Sequence, residues 1–251
     1  MHSSRHSSTH RQTTQEAAVA GFLRELVEQF KQKQGVYEQD YWPVDYLPQG
    51  IEPKSKEAAL YYFYFVQIDY QTRGDRLVKC MRSFFSARPE LLSAETIAEL
   101  SLEELARIIK ACGGRFPTRD NLAWKENSKI LVERFDGDPR KIGRKVTIKE
   151  LQERTASFRK LGAHGKLFWL WTSIMVDVGS WEILDIENFL VPVDVWIYRW
   201  ACKLGICSGS YSKKTQETVG KFLARLCLQE GLPVTKINHI LWKYLRSKRE
   251  I

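Results

Sequence analysis

The sequence predicts an all-α protein of about ten helices. Apolar residues recur at helical spacing in most segments, whereas no segment shows convincing strand alternation. Two capping-box pairs, Ser101 with Glu104 and Thr147 with Glu150, mark helix starts. Turns containing Gly, Asp or Pro separate the helical segments, so we expect short helices joined by tight connections.

The helices can be assigned in order along the chain. Residues 1–14 are rich in Ser, His and Thr, and we expect a disordered tail there. Residues 15–34 have one apolar face and predict a helix, and residues 35–56 predict an ordered connector. Residues 57–70 predict a buried helix, although their aromatic and β-branched content leaves a strand open. Further helices are predicted at residues 76–85, from Ser93, from Ser101, at 120–135, from Thr147, at 166–178, between Asp194 and Gly205, and at 212–229 and 234–247.

The charge and cysteine content bound the function. The chain of 251 residues carries a formal net charge of +9, which favours a polyanionic partner, with nucleic acid as the first candidate. A charge that serves only solubility is the alternative. The five cysteines are irregularly spaced and include no Cys-x-x-Cys pair, so neither a zinc site nor a disulfide framework is indicated. We therefore expect no metal and no cofactor.

The apolar segments and the N-terminus indicate a cytoplasmic protein. The longest apolar run is too short and too aromatic to span a bilayer. The N-terminal residues contain no apolar stretch of the kind that signal peptides have. Reduced thiols fit the same compartment. We expect a cytoplasmic monomer without membrane association.

The stretch 161–205 contains the two candidate catalytic residues. A glycine-containing turn precedes Lys166 at the start of an apolar helix, and Asp194 occupies the N-cap position of the next helix. We expect Lys166 to be buried, so that burial and the helix dipole lower the pKa of its amine and make it a nucleophile. A lysine that reaches solvent or contacts phosphate is the alternative. Asp194 can cap its helix and also stabilise positive charge as a fixed carboxylate.

The turn before Lys166 is a candidate DNA-binding element. The sequence FRKLGAHGKLFWLW, residues 158–171, is typical of a helix end, a glycine turn and a new helix. Backbone N–H groups in such a turn can hold a phosphate, and basic residues upstream add electrostatic attraction. The predicted DNA-binding residues are Gly162, His164, Gly165, Lys145, Arg159 and Lys160.

These residues resemble the helix–hairpin–helix DNA glycosylase superfamily, and within it the archaeal 8-oxoguanine DNA glycosylases. In those enzymes a lysine before a buried helix and an aspartate in a Pro-Val-Asp sequence form the catalytic pair. Lys166 and Asp194 fall on these two positions. The segment FVQIDYQTRG, residues 65–74, is similar to the family's helix and turn beside the base pocket. The resemblance covers about residues 58–205.

The resemblance implies a fold of two helical lobes with a cleft between them. Residues 15–251 would form a single helical domain with its catalytic core at about residues 58–205. The N- and C-terminal helices would pack together as the second lobe.

The resemblance also implies a DNA N-glycosylase that flips a damaged or modified base out of duplex DNA and excises it. Asp194 would stabilise the positive charge on the sugar, and Lys166 would attack C1′ and form a Schiff base that permits a lyase step. The base pocket would contain Gln67, Tyr70, Trp169 and Trp196. Such an enzyme needs DNA as its partner and would be associated with the nucleoid.

The substrate and two other functions stay open. The archaeal enzymes place a tryptophan where this sequence has Leu77 and Val78, and the four-cysteine iron–sulfur loop of some relatives is missing. These departures count against 8-oxoguanine. The substrates that stay open are an oxidised purine and a hypermodified base, such as the glucosylated hydroxymethylcytosine of phage DNA, whose removal would serve antiviral defence. The alternatives are a nucleotide N-glycosylase, because residues 129–138 resemble the queuosine-salvage enzymes, and a non-catalytic DNA-binding module.

Overall fold

The computed structural model describes residues 4–39, 42–69, 74–162 and 165–248. Within these ranges the chain forms eleven α-helices, and its β pairing is limited to one parallel bridge between Val146 and Ile183. The predicted all-α fold is confirmed. The helices are α1 (Ser4–Lys31), α2 (Lys56–Ile68), α3 (Gly74–Ala87), α4 (Ala94–Glu99), α5 (Leu102–Ala111), α6 (Pro117–Phe135), α7 (Ile148–Thr155), α8 (Lys166–Asp177), α9 (Val195–Lys203), α10 (Lys213–Gln229) and α11 (Ile237–Lys248).

The chain divides into two compact units. One consists of residues Tyr41–Ile186 and contains α2 to α8, and the other consists of Met1–Asp40 with Glu187–Ile251 and contains α1 and α9 to α11. The boundary differs from the predicted catalytic core at about 58–205, because α9 packs against α10 and α11. The ring of Trp200 in α9 also lies 5.8 Å from that of Phe22 in α1.

Helix α2 is the centre of the unit formed by Tyr41–Ile186. The Ser55 side chain caps its start by accepting a hydrogen bond from the Ala58 N–H at 3.1 Å. Every residue from Ala58 to Ile68 is buried, and α2 packs against α6 and α8. A helix enclosed on all sides needs apolar residues on every face, which explains the continuous apolar run. The alternative of a strand in this segment is wrong.

A short backbone pairing closes the C-terminal end of α8. The Val146 N–H donates to the Glu182 carbonyl at 3.1 Å, and the Leu184 N–H donates to the Val146 carbonyl at 2.9 Å. A Cβ atom at Gly143 would lie 2.4 Å from the Trp181 ring, so this close approach requires glycine. The pairing fixes the chain that leaves α8.

The second unit combines both ends of the chain. Helix α1 packs against α10 and α11, and the ion pairs Arg225–Glu16 and Arg24–Glu230 join α1 to the C-terminal part at 2.8 and 2.6 Å. Helix α1 begins at Ser4, and the disordered tail expected for residues 1–14 stays a prediction.

No helix among the described ranges has the length and apolar character needed to cross a membrane.

Candidate active site

Lys166 is the first residue of α8, and its side chain is exposed. Gly165 precedes it at the N-cap position with extended backbone angles and provides no side-chain cap. A Cβ atom built at Gly165 would meet no described atom within 4 Å, so the described residues leave space beside this position. The expectation that Lys166 is buried is wrong, because the apolar face of α8 begins at Phe168. The open helix start makes the amine accessible to a large ligand.

The connection before Lys166 is held by a buried asparagine. Helix α7 ends at Thr155, so residues 156–165 form the link to α8. Asn127 on α6 accepts the Arg159 N–H at 2.7 Å and donates to the Arg159 carbonyl at 3.0 Å. Its amide also donates to Oε1 of Gln67 at 2.7 Å. Asn127 thereby fixes both backbone polar groups of Arg159, which precedes Lys166 in the link.

Lys160 is a second anchor of this link. Its amine forms an ion pair with Asp120, which is 1% exposed, and donates to the Gln67 carbonyl at 3.1 Å. A buried carboxylate is costly unless it is paired, and Asp120 is paired both with this amine and with the Arg119 guanidinium. The structure thus gives Lys160 a packing role, and its predicted phosphate contact stays a prediction. Asp120 was not singled out because it lies far from Lys160 in sequence.

The other predicted DNA-binding residues are placed differently. Arg159 is exposed and forms an ion pair with Glu126, and Lys145 is exposed. Gly165 is exposed and its N–H donates to the Gly162 carbonyl at 3.4 Å. His164 lies outside the described residues. A role for these residues in DNA binding stays a prediction.

The predicted base-pocket residues are not gathered at one place by the described contacts. Gln67 is fully buried, and its amide donates to the Phe63 carbonyl while its Oε1 accepts from Asn127. Trp169 is 6% exposed and packs edge-to-face on Phe168. Trp196 is half-buried in the other unit, with the Arg199 guanidinium over its ring. Tyr70 lies outside the described residues. Gln67 therefore serves the fold of α2 and α6.

Asp194 is a buried N-cap, as the sequence predicts. It is 7% exposed, and its Oδ1 accepts hydrogen bonds from the N–H groups of Trp196 and Ile197 at 3.0 and 2.9 Å. Gly205 follows α9 with a φ of +72°, which confirms it as the residue that ends this helix. Both bonds to the carboxylate use Oδ1, so its orientation is fixed while its second oxygen stays available.

The segment before Asp194 is fixed by side chains from the same unit. Asn238 on α11 donates to the Pro192 carbonyl at 2.6 Å, and the Tyr211 hydroxyl donates to the Val193 carbonyl at 3.0 Å. A Cβ atom at Gly220 would lie 2.7 Å from the Val191 carbonyl oxygen, so α10 approaches this segment closely. These contacts hold the carboxylate in place even without a ligand.

Asp69 is a carboxylate near Lys166 that the sequence did not single out. It is the C-cap residue of α2 and is half-buried. Burial raises the pKa of Asp69, and the positive charge of Lys166 acts in the opposite direction. Asp69 is the sole charged residue among residues 58–69, and this isolated charge at the end of an apolar helix could have identified it as a candidate site residue. Within the unit formed by Tyr41–Ile186, the Lys166 amine and the Asp69 carboxylate are thus close enough to influence each other electrostatically, although no ion pair within 4.0 Å joins them.

A cavity of about 490 Å³ lies at the other end of α8. Its lining includes Lys54, Arg140 and Gly179, but the Arg140 guanidinium is bound to Asp138 at 2.7 Å. Helix geometry puts about 18 Å between the two ends of α8, so this cavity is separate from Lys166. Among the described residues, no group of three His, Cys, Asp or Glu side chains could hold a metal ion.

These features define an all-helical fold that two solved structures share. The chain is similar to endonuclease III in a trapped covalent intermediate with DNA, with a TM-score of 0.57 and 15% identity over 90% of this chain and 84% of that one. It is also similar to the 8-oxoguanine DNA glycosylase of Thermotoga maritima, with a TM-score of 0.55 and 18% identity over 89% of this chain and 95% of that one. No family model and no curated protein matches the sequence. The fold is that of the helix–hairpin–helix DNA glycosylases, which confirms the resemblance at the level of fold.

Proposed function

We propose that this protein is a DNA glycosylase that uses the Lys166 amine as its nucleophile. The observation that carries the proposal is the exposed Lys166 at the open start of α8, after a link anchored by Asn127. A helix N-terminus without a side-chain cap offers free N–H groups, which suit a nearby phosphate. The similar endonuclease III forms a covalent intermediate with DNA, and we extend that chemistry to Lys166.

The proposed reaction begins with a nucleotide flipped out of the duplex. The Lys166 amine attacks C1′ of the deoxyribose, the glycosidic bond breaks, and its electron pair leaves with the base. Asp194 stabilises the positive charge that develops on the same sugar, because its carboxylate is already oriented by two N–H donors. Ring opening then gives a Schiff base, from which β-elimination would cleave the strand.

The proposed contacts with DNA involve the link and its basic neighbours. Gly162, Gly165, Lys145 and Arg159 would contact phosphates, and Trp169 and Trp196 would contribute to the base pocket. The net charge of +9 supports a polyanionic partner. We propose a monomer that acts on DNA in the nucleoid.

The proposed substrate is an oxidised purine or a hypermodified base of phage DNA. The position where the resemblance expects a stacking tryptophan holds Leu77, which is buried, and Val78, which is half-buried. Neither side chain provides an aromatic face for an oxidised purine. The aliphatic pair favours the second substrate, whose removal would protect a cell against phage.

The proposal is tested with duplexes that each carry one altered base. Duplexes containing 8-oxoguanine or glucosylated hydroxymethylcytosine are incubated with the protein, and released base and abasic sites are measured. Base release from at least one duplex is expected. Release from free nucleotides alone would instead indicate the nucleotide N-glycosylase, and binding without any release would indicate the passive module.

Borohydride trapping then tests the nucleophile. Wild type is expected to form a covalent adduct with the substrate duplex, and Lys166→Gln is expected to form none. The matched control is Lys213→Gln, because Lys213 is also an exposed first residue of a helix. Wild-type base release by Lys166→Gln would show that this amine is not the nucleophile.

A further inference from the structure

Helices α2 and α8 run antiparallel, which places the end of one beside the start of the other. A Cβ atom at Gly179, after α8, would lie 3.0 Å from the Cε atom of Lys54, before α2. In the middle of the pair, the rings of Phe63 and Trp171 lie 5.3 Å apart. Beyond these two rings, on the side away from Lys54 and Gly179, the helix pair ends at the C-terminus of α2 and at Lys166, the first residue of α8.

The spacing along both helices agrees with this alignment. Asp69 lies six residues beyond Phe63, and Lys166 lies five residues before Trp171. At the rise of an α-helix these steps correspond to about 9 and about 7.5 Å, so the two residues lie at similar heights along the helix pair. The electrostatic interaction between Asp69 and Lys166 agrees with this packing geometry.

Two described cations near this end of α2 are paired with other carboxylates. The Lys160 amine, which contacts the Gln67 carbonyl, is paired with Asp120. The neighbouring Arg159 guanidinium is paired with Glu126. Among the described residues, neither Asp69 nor Lys166 forms an ion pair within 4.0 Å, either with the other or with a third group. The exposed Lys166 side chain therefore interacts with Asp69 at longer range.

We propose that Asp69 is the proton acceptor that converts the Lys166 ammonium into the attacking amine. This inference rests on the proposed function. The proton moves from Nζ through one bridging water to the Asp69 carboxylate, and the freed lone pair of Nζ forms the bond to C1′. The C1′–N bond of the nucleotide breaks, its electron pair leaves with the base, and solvent supplies the proton that the base needs.

The surroundings suit Asp69 to this task better than Asp194. Asp194 accepts two backbone hydrogen bonds that hold it as a fixed acceptor in the other unit. Asp69 lies in surroundings that oppose a charged carboxylate, because burial raises its pKa. Such surroundings reduce the cost of moving a proton from an ammonium to a carboxylate, since the transfer neutralises both groups.

A pH profile separates proton transfer from simple positioning. If Asp69 takes the proton, Asp69 and Lys166 in wild type share one proton, and the fraction of neutral amine depends on how that proton is divided between them. The single-turnover rate of base release should then be independent of pH as long as the pair holds one proton. In Asp69→Asn, the amine must lose its proton to solvent, so the rate should rise about tenfold per pH unit. At pH 7 the variant should be slower by about 10²-fold or more.

The companion variants make the result decisive. Asp69→Glu keeps a carboxylate and is expected to restore a flat profile. Asp136→Asn changes another C-cap aspartate, which is exposed at the end of α6, and should leave the rate unchanged. Circular dichroism checks that each variant is folded.

Two outcomes would overturn the inference. An Asp69→Asn variant that is as fast as wild type at pH 7, or faster, would show that Asp69 only stabilises the ammonium. A rate reduced equally at every pH would show a positioning role alone. Absence of base release by wild type itself would instead refute the proposed function, and the inference with it.

Discussion

At the scale of single residues, Asp194 combines a local role with a proposed chemical one. Its Oδ1 caps α9, and an amide oxygen can accept the same two hydrogen bonds. Asp194→Asn should therefore change the free energy of unfolding by only a few tenths of a kcal/mol, whereas Asp194→Ala should lower it by about 1 kcal/mol.

The same pair of variants separates the cap from the charge in catalysis. Because the amide carries no charge, Asp194→Asn should lower the single-turnover rate of base release by about 10²- to 10³-fold. Urea unfolding and single-turnover kinetics measure the two effects. A fully active Asp194→Asn would mean that the carboxylate is only a cap.

Asp69 should give the protein a characteristic dependence of stability on pH. Its pKa is raised in the folded state, so the folded protein binds more protons than the unfolded chain between the two pKa values. The contribution of Asp69 to stability therefore falls as pH rises from the ordinary carboxyl value of about 4 to the raised value. The Asp69→Asn variant has no carboxyl group at this position, so this fall of stability with rising pH does not occur in it.

The stability difference between Asp69→Asn and wild type should thus grow with pH in favour of the variant and then level off. Urea unfolding at several pH values between 4 and 8 measures it. A difference that shrinks as pH rises would indicate a favourable ion pair with Lys166 instead, which has the opposite sign.

At the scale of elements, the link before α8 depends on buried side chains from α6. Replacing Asn127 by Ala would leave the N–H and carbonyl of Arg159 and the Oε1 of Gln67 without this partner. Each unsatisfied buried group costs about 1–3 kcal/mol, so the variant should be destabilised by at least about 2 kcal/mol. Trapping through Lys166 should fall as well, because the link loses its anchor.

The matched control for this prediction is Asn121→Ala on the same helix. Asn121 is also buried, but it bonds to the Leu102 carbonyl and the Leu122 N–H, away from the link. The Asn121→Ala substitution should destabilise the protein, whereas the yield of borohydride-trapped adduct per folded molecule should equal that of wild type. Equal trapping by both variants would show that Asn127 does not position Lys166.

The sequence predicts what depends on neighbouring residues and misses what depends on distant ones. The capping boxes at Ser101 and Thr147 are confirmed, because both partners lie within one helical turn. The burial of Lys166 was predicted wrongly, because the apolar pattern of α8 does not specify which face its first residue occupies. The pairing of Lys160 with Asp120 could not be predicted, because only the fold brings these residues together.

At the scale of the whole molecule, the net charge of +9 should govern the binding of undamaged DNA. Each phosphate contact releases counterions, so the logarithm of the affinity should fall linearly with the logarithm of salt concentration, with a slope of about −0.9 per contact. Fluorescence anisotropy on an unmodified duplex between 50 and 200 mM salt, about the range where such losses are large, measures this slope.

Three variants distinguish contacts with phosphate from charges used in folding. Lys145→Gln removes an exposed amine from a predicted contact and should reduce the slope by about 1. Lys160→Gln removes one of the two cations that pair with the buried Asp120, the other being Arg119, so it should lower the free energy of unfolding and leave the slope unchanged. Lys213→Gln serves as the control for an exposed amine outside the predicted contacts. A reduced slope in Lys160→Gln would show that the Lys160 amine contacts phosphate. An unchanged free energy of unfolding in the same variant would show that its pairing with Asp120 contributes nothing to the fold.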